Sequence, residues 1–138
     1  MSELVFDHVG IAVADLDESL GLWKTLGAIC VSTEVVESQQ VRVAFLDTGA
    51  TKTELLEPTS ESSPIARFLA TGKKGIHHIA YRVPDISQTL DRLRSEGVPL
   101  IHDTPIEGSR GTQIAFLHPK GTGGVLTELI QYPSGATH

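Results

Sequence analysis

Cysteine is nearly absent from the chain: Cys30 is the one copy among 138 residues. No internal disulfide can form, and a reducing compartment, the cytoplasm, is the expected setting. No apolar run reaches the roughly 18 residues that a membrane-crossing helix needs. Residues 1–4 show no basic segment followed by an apolar stretch, so no signal peptide is expected. Basic clusters are missing too, and the net charge is −6. That balance argues against a protein that wraps nucleic acid, while leaving room for a small anionic ligand held by a few cations. Hydrophobic residues make up 40% and charged residues 20%, which is ordinary for one globular domain able to bury a core.

The chain does contain an internal repeat. The run Phe6-Asp7-His8-Val9-Gly10-Ile11-Ala12-Val13 has a counterpart in Ile76-His77-His78-Ile79-Ala80-Tyr81-Arg82-Val83, with His78 following His8 by 70 residues. The same offset carries Asp15 onto Asp85, Leu20 onto Leu90 and Gly27 onto Gly97. Ala44-Phe45-Leu46 then matches Ala115-Phe116-Leu117 at offset 71, and Thr53-Glu54-Leu55 matches Thr127-Glu128-Leu129 at offset 74. The offset grows only where a loop must lengthen. Two copies suit a pseudo-twofold pair better than a solenoid.

Each copy reads as β-α-β-β-β. In the first module, about 4–58, residues 5–13 alternate as a half-buried strand, with Val9, Ile11 and Val13 on one face and His8, Gly10 and Ala12 on the other. Asp15 is placed as a helix N-cap, with Glu18 three residues on. Leu16, Leu20, Trp23 and Leu26 form the helix's buried stripe, and Gly27 ends it. Strands are expected at about 28–36, 41–47 and 52–57, with a hairpin turn over 47–52. A linker, 59–75, holds a short helix at 64–69 that opens on Pro64. The second module, about 76–132, repeats the plan. Its strand 76–83 leads to the cap Asp85 and a helix with Ile86, Leu90 and Leu93 as its stripe. Strands follow at about 98–102, 112–117 and 125–131, with a loop at 103–111 and a turn at 119–124. The expectation is a single α+β domain over 1–138: two tandem β-α-β-β-β modules forming a curved mixed sheet, helices outside and a cleft inside.

Strand parity selects the cleft residues. His8 and His78 fall on the face away from the helices, and His77 falls on the other. Glu54 and Glu128 occupy equivalent places on the closing strands. Two histidines and two carboxylates related by the repeat form a mixed nitrogen and oxygen donor set. Such a set suits Co, Mn, Ni or Zn and fits calcium poorly. Two carboxylates also balance the charge of a buried divalent ion. Each residue alone is more often structural; their joint appearance at repeat-equivalent positions carries the metal reading. His118 lies in a turn and is a candidate ligand contact, while His102 and His138 are expected to be exposed.

With these runs in place, the chain resembles the vicinal-oxygen-chelate superfamily, and within it the methylmalonyl-CoA epimerases. The resemblance spans about Phe6 to Tyr132. It rests on FDHVGIAV, on TKTELLEP at 51–58, on SPIARFL at 63–69, on GIHHIAYRV at 75–83 and on FLHPKGTGGVLTEL at 116–129. It implies paired β-α-β-β-β modules, a divalent metal held by His8, Glu54, His78 and Glu128, a CoA thioester substrate and a homodimer. Many such epimerases have glutamine where Glu54 stands. Some carry a glutamate, a proposed base, where this chain has Val43. The implied reaction interconverts the (R) and (S) epimers of methylmalonyl-CoA by α-proton exchange through a metal-stabilised enolate. Glu54 and Glu128, from opposite modules, are the carboxylates left to move protons. Lys120 is a candidate for the substrate carboxylate or a CoA phosphate.

Two rivals share the fold. Glyoxalase I can use the same four ligands, but the doubled histidine, SPIARFL and HPKGTGG are not expected of it. A metal-free small-molecule binder would have no need of all four ligands.

Overall fold

The structure is a computed structural model that describes residues 3–134; His138 lies outside the described residues. The chain divides into two compact units, one running His8–His77 and the other joining the residues up to Asp7 to those from His78 onward.

The first unit follows the expected order: β1 (Val5–Ala12, its first residues counted with the other unit), α1 (Leu16–Thr25), β2 (Ile29–Val36), β3 (Val41–Asp47), β4 (Lys52–Pro58) and α2 (Pro64–Ala70). Its strands lie in the order β2-β3-β4-β1, with β1 parallel to β4 and the other pairs antiparallel. α1 starts where Asp15 accepts a hydrogen bond from the Glu18 amide, and the chain leaves it through Gly27 at φ +104°. That left-handed angle is open to glycine at little cost. Leu16 and Leu20 pack on Ala44, Leu46 and Leu55, joined by Ile11, Val13 and Trp23. Leu26 does not complete the stripe. It is the C-cap residue, past the last helical turn, and is exposed.

The linker helix α2 packs on part of the inner face, where the expectation had placed only a cleft. Ser63 caps it by accepting from the Ile65 amide. Its Ile65, Phe68 and Leu69 then pack on Ala12, Val36, Val41, Val43, Phe45 and Leu56. Ala12 alternates with His8, so a helix covers part of the histidine-bearing face. This packing is why the linker belongs with the first unit.

The second unit contains β5 (Gly75–Arg82, entering from the first unit), α3 (Ile86–Ser95), β6 (Ile106–Glu107), β7 (Gln113–Leu117) and β8 (Thr127–Gln131). Their order is β5-β8-β7-β6, again with one parallel pair, β5 with β8. Asp85 caps α3 by accepting from the Gln88 amide. Ile86 and Leu90 are buried against Val83, Ala115, Leu117 and Leu129, with Leu93 partly buried beside them.

The strand expected at 98–102 is absent. A single bridge, Leu100 to Leu117, stands there. The short strand lies instead at Ile106–Glu107, inside the expected loop. Pro99 and Pro105 each remove a ladder donor. At the break, the Phe116 amide donates to the His102 ring Nδ1 at 3.0 Å rather than to a backbone carbonyl. The turn at 119–124 begins as a 3-10 helix, Pro119–Gly121, and the last strand starts at Thr127, two residues later than expected. No described helix is long and apolar enough to cross a membrane.

Candidate functional site

The repeat is exact in register at the two closing strands. In the first unit Gly10 pairs with Glu54, and Phe45 pairs with Glu54 from the other side. In the second, Ala80 pairs with Glu128, and Phe116 pairs with Glu128. Each glutamate therefore sits beside the small residue that lies two positions after a histidine. The side chains of i and i+2 share a face on a strand, so each histidine and its glutamate are neighbours within their own unit. The His8 Nδ1 is 3.2 Å from Glu54 Oε2, and the His78 Nε2 is 3.2 Å from Glu128 Oε1.

All four side chains are buried: His8 is 2% exposed, Glu54 6%, His78 5% and Glu128 5%. Such burial of ionisable groups requires compensation by partners or a metal. The donors suit a borderline divalent ion. Two ligand atoms, each about 2.1 Å from one ion and at roughly a right angle, stand about 3 Å apart. Each pair meets that spacing. The described residues include a candidate metal-binding group drawn from buried histidine and acidic side chains.

The apolar frame around each pair is also repeated. Phe45, Val43 and Leu56 share the Glu54 face by the β3–β4 register and pack together. Val43, where the resemblance led to comparison with a glutamate, is 3% exposed and lies within that cluster. In the second unit Phe116, Ile114, Ile130 and Tyr132 pack together, and Phe116 meets the His78 ring edge-on at 5.4 Å.

Three histidines fall elsewhere. His77 meets the Phe68 ring edge-on at 5.0 Å. His118 is exposed, and its Nδ1 accepts from the Lys120 amide, so the ring caps its own turn. Lys120 is exposed on that turn. Neither His118 nor Lys120 has a contact within the described residues that ties it to the Glu128 pair. His102 corrects the expectation of exposure: it is half-buried against Phe116 and carries the Nδ1 contact described above.

Burial pushes the His102 imidazole below its ordinary pKa, and the Glu128 carboxylate pulls it partly back up. The unfolded chain therefore takes this proton more readily than the folded one. Stability from this group is present above about pH 6.5 and is lost as pH falls toward the lowered folded value. His102→Asn keeps an acceptor near the Phe116 amide and removes the titration. In urea melts of metal-stripped protein from pH 8 to 5, the variant is expected to lose stability less steeply than the parent. Parallel pH profiles would contradict this account of His102.

Sequence reasoning also passed over Asp7 and Tyr132. Asp7 is buried, and the Tyr132 hydroxyl donates to its two carboxylate oxygens at 2.8 and 2.9 Å. An acid in an otherwise apolar strand, directly before a candidate ligand, was the available signal.

This fold and these pairs define a class. The chain belongs to the Glyoxalase/Bleomycin resistance protein/Dioxygenase superfamily, whose model matches residues 7–116. Within that class its similarity runs to proteins named as epimerases of malonyl thioesters. It is 41% identical to the ethylmalonyl-CoA/methylmalonyl-CoA epimerase of Cereibacter sphaeroides, over 91% of this chain and 96% of that one. It is 40% identical to the uncharacterized protein YqjC of Bacillus subtilis, over 96% of this chain and 94% of the relative. A solved structure of a methylmalonyl-CoA epimerase with methylmalonyl-CoA and ammonium matches at 40% identity and a TM-score of 0.89, covering 99% of this chain and 100% of the other.

Proposed function

We propose that this chain epimerises methylmalonyl-CoA by exchanging the proton on the carbon between the thioester and the carboxylate. The observation that carries the reading is the pair of buried histidine–glutamate contacts at repeat-equivalent positions, each 3.2 Å long. An ion pair alone would also hold one such contact at that distance. Two of them, in equivalent registers and on chains so similar to named epimerases, favour a shared role. In this reading His8, Glu54, His78 and Glu128 are the ligands of a divalent ion, Co, Mn, Ni or Zn. When bound there, the ion supplies positive charge beside the thioester oxygen as the α-proton leaves.

The chain's own groups supply the rest. Epimerisation needs a base on one face of the α-carbon and an acid on the other. Val43 offers neither. Glu54 and Glu128 come from different units and are the carboxylates at hand. In either direction one of them, as carboxylate, takes the α-proton from its own face and becomes the acid, while the other, carrying a proton, gives it to the opposite face and becomes the carboxylate. The apolar side chains around them, Phe45 and Leu56 in one unit and Phe116 and Ile130 in the other, limit water around the carboxylates during the transfer, and the carboxylate protons exchange with solvent between turnovers. Lys120 and His118 remain candidates for contact with the substrate's anionic groups. A cytoplasmic homodimer is part of the same reading. Leu22, Leu26, Ile29 and Val31 are exposed apolar side chains that such a contact would cover.

The direct test offers the cobalt-loaded protein two substrates in parallel, (S)-methylmalonyl-CoA and the methylglyoxal–glutathione hemithioacetal. Conversion of the first to its (R) epimer, without isomerisation of the second, is the expected result. The reverse pattern would make the chain a glyoxalase I. Ethylmalonyl-CoA is expected to react as well, since the exchanged proton sits between the same two carbonyl groups.

A further inference from the structure

Arg82 has a part to play that the proposed chemistry does not use. It ends β5, on the parity of His78 and Ala80. Four extended residues place it about 13 Å along the strand from His78. Its partner across the ladder is Ile130, which follows Glu128 by two positions on the neighbouring strand. The side chain is half-buried, and its guanidinium lies over the Tyr132 ring at 5.7 Å. Tyr132 is held in turn by its hydroxyl bonds to Asp7. The guanidinium thus rests on a fixed aromatic plate. Among the described residues it makes no hydrogen bond and no ion pair. A groove of ≈ 400 Å³ opens beside it, lined by Arg82, Tyr132, Gln131, Ser134, Val5 and Glu3 among others.

A positioned cation with its donors unused suits an anion, and a planar guanidinium matches phosphate in two-pronged fashion. We propose that Arg82 binds the diphosphate of the CoA portion of the substrate. This rests on the epimerase reading and extends it. With the thioester beside His78 and Glu128, an extended pantetheine arm bridges the strand length to Arg82. The arm is uncharged, so it needs no further cation on the way. Glu3 is exposed at the groove and opposes an anion, which makes a second, inverse test available.

The experiment uses the metal-loaded full chain and calorimetric titration with three probes: CoA, pantetheine and inorganic phosphate. Arg82→Gln is expected to weaken CoA about tenfold, the loss of one charge-assisted contact, and to leave pantetheine unchanged. Arg82→Lys should recover part of the loss, and Glu3→Gln should tighten CoA. Thermal melts confirm that each variant is folded. Equal affinity of the parent and Arg82→Gln for CoA overturns the proposal. So does an equal loss for pantetheine, which would place the contact at the thioester end. Phosphate binding as tight as CoA binding would make Arg82 a free-phosphate site and overturn it too. A parent that binds CoA through Arg82 yet does not epimerise keeps the diphosphate site and removes the epimerase reading. A parent that epimerises methylmalonyl-CoA yet does not bind CoA keeps the epimerase reading and overturns the diphosphate site.

Discussion

His78→Ala is expected to release the bound metal and to slow α-proton exchange by about a thousandfold. The imidazole is buried, 3.2 Å from Glu128, and packed edge-on against Phe116. Alanine removes the nitrogen donor and opens space beside a buried carboxylate. That carboxylate then loses a partner in an environment where charge is costly. Water or a proton will take the vacated place, and either outcome weakens hold on a divalent ion. Metal analysis after gel filtration reads the first effect, and turnover with cobalt in excess reads the second. A folded His78→Ala protein that keeps one cobalt per chain and full activity would remove His78 from the centre. His77→Ala is the matched control. Its ring meets Phe68 edge-on and lies on the opposite strand parity from His78, so metal content should not change.

Glu54→Gln separates holding the metal from moving the proton. The amide oxygen of glutamine can still ligate, as the resemblance to epimerases with glutamine here implies. It cannot accept a proton at neutral pH. The variant is therefore expected to bind cobalt and yet lose epimerisation by at least a hundredfold, on the scale of general acid–base catalysis. Val43 provides the complement. It pairs with Leu56 on β4, two residues beyond Glu54, so its side chain is a diagonal neighbour on the same face. Adding Val43→Glu to Glu54→Gln puts a carboxylate back within reach of the same space, and partial recovery of activity is the expected result. The added acid enters an apolar cluster, so the double variant should melt lower than the parent. Full activity in Glu54→Gln alone would leave proton transfer on that face to another group.

The parts of the fold that were legible in the sequence are those set by local chemistry. Asp15 and Asp85 were readable as caps because a short carboxylate before an apolar helix stripe has a specific amide to meet, and both do so. The His–Glu pairs were readable because the offsets between repeats convert directly into ladder register, Gly10 with Glu54 and Ala80 with Glu128. What was not legible depends on tertiary packing. Leu26 continues the helical spacing, yet the helix ends before it, so it is exposed. α2 reads as a linker helix in sequence; only the contacts of Ile65 and Phe68 show it covering part of a sheet face. His102 sits in a stretch interrupted by prolines, where neither strand nor loop chemistry signals that its ring will replace a backbone acceptor for Phe116. Asp7 and Tyr132 meet across 125 residues of sequence, a pairing that no local pattern carries.

Deuterium incorporation tests the central claim most directly. The protein is stripped of metal, reloaded with cobalt and incubated with methylmalonyl-CoA in heavy water, and the mass of the thioester is followed. One deuterium at the α-carbon, appearing with cobalt and not without it, is the predicted result. A loaded protein that binds the thioester and leaves its mass unchanged would contradict the account.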